Sequence, residues 1–106
     1  MKMSTMLLAA ALVTGLSAVA SAQGKEAYDA QCKKCHGATG TPAKAMAAKF
    51  PKLEAFDAAF FAKRSDDSLM AAMMNGTSND MKSYKDKLTK DEMLAVTAYI
   101  KGLAQK

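Results

Sequence analysis

Cys32-Lys33-Lys34-Cys35-His36 gathers both cysteines and the single histidine of a 106-residue chain into five consecutive positions. Several chemistries compete for such a cluster. A zinc site takes four soft or borderline ligands, whereas this chain offers three, crowded together, with no second Cys/His group. A dithiol redox pair expects Cys-x-x-Cys at a helix N-terminus in a βαβ setting. The chain beyond residue 22 shows no convincing strand run, and the pair falls at the end of a helical stretch. A disulfide is permitted in an exported protein, yet it would close a tiny loop and leave the adjacent histidine unexplained.

The remaining reading is covalent haem attachment, the chemistry associated with Cys-x-x-Cys-His. Two intervening residues let the sulfurs of Cys32 and Cys35 reach the two vinyl positions of one porphyrin as thioethers. His36 is then held beneath the iron as an axial imidazole ligand.

Outward toward the N-terminus, Lys2 is the only charged residue before Lys25, and an apolar run follows from Met6 to Val13. The run weakens through Leu16, Ala18 and Val19 and ends in the small-residue pattern Ala20-Ser21-Ala22. Charged start, short apolar centre and small-residue exit describe a secretory signal cleaved after about Ala22. Gly15, Ser17 and Ser21 interrupt a stretch already short for a membrane span, so no stable anchor is expected. Residues 1–22 are therefore expected to be removed and residues 23–106 to form one domain in the periplasm. With three tyrosines, four phenylalanines and no tryptophan, that domain is marginal on apolar burial alone. A bound group should complete its core.

Outward toward the C-terminus, Gly24, Tyr28 and Cys32 recur at spacing four and share one face of a helix expected over about Gly24 to Cys35. Gly37 to Pro42 reads as a loop. Pro51 breaks the stretch from Ala43 to Arg64, where Phe56, Phe60 and Phe61 have helical spacing and read as core. Ser65-Asp66-Asp67 is a helix start and Asn75-Gly76 its stop, with Leu69, Met70 and Met73 forming the apolar stripe. Thr89-Lys90-Asp91-Glu92 is a capping box opening a last helix that carries Met93, Val96, Tyr99, Ile100 and Leu103.

Over Gly24 to Leu103 the chain resembles a small monohaem class I c-type cytochrome. The resemblance implies an all-α fold of three to five short helices wrapped around one covalently attached haem c and its iron. It also implies that Gly24 and Tyr28 meet the C-terminal helix. A loop carbonyl after the motif, with Pro42 the nearest candidate, would accept a hydrogen bond from the second ring nitrogen of His36.

The identity of the sixth iron ligand decides the function. With no second histidine, a methionine thioether is the strongest soft donor available. Met46, Met70, Met73, Met74, Met81 and Met93 lie beyond residue 22, and most methionines fill cores. Met81 is favoured because it lies between a helix stop and a helix start, and because Met81-x-x-Tyr84 resembles the family's ligand loop; Met46 is its rival. With His36 and Met81 as axial ligands, no position is left for oxygen or peroxide, and methionine raises the potential. The expectation is a monomeric periplasmic electron carrier rather than an enzyme. A ligand-binding or peroxidase-like cytochrome with an open sixth position is the alternative, and a haem-free Cys-x-x-Cys thiol oxidoreductase a more remote one.

The chain carries 15 basic and 10 acidic residues, a net charge of +5, which loss of Lys2 lowers by one unit. Lys33, Lys34, Lys82, Lys85 and Lys87 flank the motif and the ligand loop, placing them to steer redox partner proteins with acidic surfaces or to act simply as solvated charge. So modest an excess gives little support to nucleic-acid binding.

Overall fold

Two helices that cross at a glycine organise the protein. In the computed structural model, which describes residues 22–105, α1 covers residues 22–31 and α2 is Lys33–His36. They are followed by α3 (Lys44–Lys49), α4 (Ala58–Ala62), α5 (Asp66–Asn75) and α6 (Lys90–Leu103). All six regular elements among the described residues are helical, as expected, although one more than the three to five anticipated. The extra element arises because the first helix breaks at Cys32 and resumes through His36. The expected export segment lies outside the described residues except for Ala22. No described helix is long and apolar enough to cross a membrane.

Local chemistry explains the boundaries. Thr89 and Glu92 exchange side-chain-to-backbone hydrogen bonds, the capping box that starts α6. Leu88 just before it and Met93 just inside it both enter the core, the arrangement of a hydrophobic staple. Ser65 caps α5 through the Ser68 amide at 3.1 Å, and Gly76 ends it at φ +75°. One expectation fails locally: Phe56 is not helical. Asp57 is extended and accepts the Phe60 amide at 2.9 Å, so α4 begins only at Ala58.

The core joins α1, α5 and α6 through Tyr28, Met73, Met93, Val96 and Ile100, with Ala27 and Leu88 beside them. Met93, Val96 and Ile100 follow helical spacing on the buried face of α6. Gly24 lies against that helix: a Cβ there would strike the Ala95 carbonyl and come within 3.2 Å of the Tyr99 Cβ. Four residues on, Tyr28 is fully buried, its ring 5.2 Å from that of Tyr99. Gly24→Ala must therefore push α1 from α6, and guanidinium unfolding of the holoprotein should show a loss of about 1–3 kcal/mol. A change within about 0.5 kcal/mol, the range of an inert surface substitution, would contradict the close crossing.

Candidate haem site

The end of α1 presents the cysteine–histidine cluster. The Cys32 amide donates to the Tyr28 carbonyl at 2.8 Å, and the His36 amide donates to the Cys32 carbonyl at 3.0 Å, carrying the helical path across the turn. Gly37, at φ +84°, then stops it, since a side chain there would meet the Thr41 carbonyl. Neither Cys32 nor Cys35 is in a disulfide, and both are half-buried. Burial, with Cys35 a lesser contributor, pushes the Cys32 thiol up to about 11. A thiol activated for exchange is shifted the opposite way, so the surroundings of Cys32 do not favour its thiolate.

Burial also lowers the pKa of His36, favouring the neutral imidazole that binds metals. Its ring stacks on Phe56 at 4.6 Å between centroids, with 22° between planes. Phe56 is held there by its own amide, which donates to the Gly40 carbonyl at 2.9 Å. The bond anticipated to Pro42 is not made: His36 Nδ1 is buried without a hydrogen-bond partner. The loop turns too early for it. Gly40 donates back to the Gly37 carbonyl, and the Thr41 carbonyl, not that of Pro42, packs against Gly37.

Met81 reaches the same region from the other side. Its carbonyl accepts the Thr77 amide at 2.9 Å, the Tyr84 amide donates to the Met73 carbonyl at 2.7 Å, and the Ser83 hydroxyl donates to the Met74 carbonyl at 2.6 Å. Gly76 and Asp80, at φ +75° and +77°, supply the left-handed turns this loop needs. The loop is thereby stitched to the end of α5. Cys32, His36 and Met81 line one cavity of about 460 Å³, within the range of small-molecule sites. Cys35, three residues after Cys32, is not on its wall. Met73 also lines the cavity, whereas the rival Met46 does not.

Two features of this wall carry no signal in sequence spacing. One is the stack of Phe56 on His36. The other is Arg64, whose guanidinium lies 4.0 Å over the Phe60 ring and pairs with Glu54 at 2.8 Å at the cavity edge. A largely apolar chamber lined by the Cys32 thiol, a buried imidazole with an unpartnered nitrogen, a thioether and the cationic side chains of Lys52, Lys63 and Arg64 suits a porphyrin bearing carboxylates. The donor set fits the group.

Fold and donor set together define a small c-type cytochrome. Residues 19–100 match the cytochrome c oxidase, cbb3-type, subunit III family, and the chain belongs to that family of cytochrome c domains. Among solved structures it is similar to KustC0563, a c-type cytochrome, with 32% identity and a TM-score of 0.67; the match covers 76% of this chain and 95% of that one. No curated protein matches. The protein accordingly carries covalently bound haem c with its iron, and its role is haem-based electron transfer.

Proposed function

We propose that this cytochrome is a periplasmic one-electron carrier in which Cys32 and Cys35 form the thioether links and His36 and Met81 are the axial ligands. The observation that carries this reading is the convergence of Cys32, His36 and Met81, from two separate parts of the chain, on one cavity. Haem c supplies a one-electron iron couple. The protein supplies fixed ligands: His36 is gripped by its backbone and by Phe56, and Met81 by the hydrogen-bonded loop after α5. If His36 and Met81 both held the iron, no coordination position would remain for a small substrate, which supports a carrier rather than a catalyst.

Lys33, Lys34, Lys82, Lys85 and Lys87 are all exposed beside the segments that hold the two proposed ligands. They form a basic rim suited to brief contact with an acidic redox partner. The segment before Gln23 is read as the export signal, removed before the domain takes up haem.

Met81→Ala should abolish the weak near-infrared band of the oxidised protein and open the iron to carbon monoxide when reduced. Survival of the band would move the ligand elsewhere, with Met73 next to be replaced. The intact mass of the exported protein should correspond to residues 23–106 plus one haem; a retained N-terminal segment would overturn the export assignment. Electron transfer to an acidic protein partner should slow as salt rises from about 0.01 to 0.15 M, where the screening length falls from about 30 to 8 Å. A flat salt profile would assign the lysines to solvation alone.

A further inference from the structure

Tyr28 does more in this structure than fill the helix crossing. Its side chain is fully buried, and its hydroxyl donates a 2.6 Å hydrogen bond to the carbonyl of Gly37, the residue directly after His36. That carbonyl has one other partner among the described residues, the Gly40 amide at a long 3.4 Å. The ring of Tyr28 also meets Phe56 edge-on, at 6.4 Å and 64°, and Phe56 is the ring stacked on His36. With Nδ1 making no hydrogen bond, the orientation of the His36 ring depends on its backbone and on Phe56. Tyr28 touches both supports.

We propose that Tyr28 is a positioning residue for the axial imidazole, acting through its hydroxyl bond to the Gly37 carbonyl and through the face of Phe56. The inference rests on His36 being an iron ligand. Its physical content is twofold. The bond fixes the Gly37–Ala38 peptide, one residue beyond His36, and so limits how the chain turns after the ligand; it also offsets the negative end of a carbonyl dipole next to the residue that would hold the iron. A carbonyl deprived of that donor favours the more positive ferric state, because a hydrogen bond in a poorly solvated site is felt strongly. The tyrosine ring alone, as in phenylalanine, would keep the packing and lose the bond.

The test compares holoprotein carrying Tyr28→Phe with holoprotein carrying Tyr99→Phe, whose hydroxyl makes no hydrogen bond among the described residues. For Tyr28→Phe the ferric-to-ferrous ratio at fixed electrode potential should rise roughly three- to tenfold, a downward midpoint shift of about 30 to 60 mV at 59 mV per decade. Its ferric electron paramagnetic resonance spectrum should shift or broaden as the imidazole samples more orientations. Tyr99→Phe should leave both at wild-type values. In the reduced wild-type protein, proton NMR should show a slowly exchanging tyrosine hydroxyl that Tyr28→Phe removes. A Tyr28→Phe protein that melts earlier yet keeps the wild-type midpoint and spectrum would reduce Tyr28 to packing, and absence of the protected hydroxyl would overturn the proposal without any variant. A wild-type spectrum lacking a nitrogen-ligated low-spin iron would instead overturn the ligand assignment beneath it.

Discussion

The close crossing of α1 on α6 is the contact on which the rest of the structure depends. Gly24 lets the two backbones approach, and Tyr28, one turn further along α1, fills the crossing and reaches past it to the loop after His36. The cysteines and histidine follow directly on that helix, at the turn of Cys32 and in the short α2. Their position is therefore set by how α1 sits on α6, and α6 in turn is anchored on α5 through Met73, Met93 and Val96. A change at the crossing is transmitted to the candidate haem site with little chain between them to absorb it.

The second constraint is size. A domain of this length buries only a modest share of its apolar surface, and here part of the interior is a chamber rather than packed side chains. Voids lined by apolar groups weaken a fold because their walls lose contact partners. In a c-type cytochrome the chamber is filled by the porphyrin, so haem and core form one object, and whatever binds only the folded state stabilises it. This accounts for a domain with few aromatics and no tryptophan.

Much of this was legible in the residues, for identifiable reasons. Capping boxes, serine caps and glycine stops act over three or four positions, so Thr89–Glu92, Ser65 and Gly76 could be placed from local chemistry alone. The spacing-four row Gly24, Tyr28, Cys32 followed from helix geometry, and its meeting with α6 from the family resemblance. What escaped was non-local. Phe56 has helical spacing to Phe60, but Asp57 takes the cap and leaves Phe56 outside α4, where it stacks on His36 instead. Pro42 was the nearest candidate carbonyl in the chain, yet the Gly37–Gly40 turn packs the Thr41 carbonyl against Gly37 and leaves His36 Nδ1 without a partner. Neither outcome depends on residue type so much as on the direction the loop takes after Gly37. The Arg64–Glu54 pair, ten residues apart, was invisible for the same reason.

The two sides of the cavity are held by different means, and this bears on electron transfer. His36 ends α2, which follows directly on the α1 that packs against α6, whereas Met81 belongs to a loop of irregular backbone closed on itself by the Thr77 amide and fastened to α5 by the Ser83 and Tyr84 hydrogen bonds. In the proposed ligation the iron would bridge these parts, so its two axial bonds would close the domain around the cofactor. In that ligation a loop tied by these hydrogen bonds would not readily follow a small change at the metal, and a helix packed at a glycine crossing would not readily tilt. Both therefore favour one geometry in both oxidation states. That rigidity is the property a carrier requires, because reorganisation at each transfer would otherwise slow exchange with its partners.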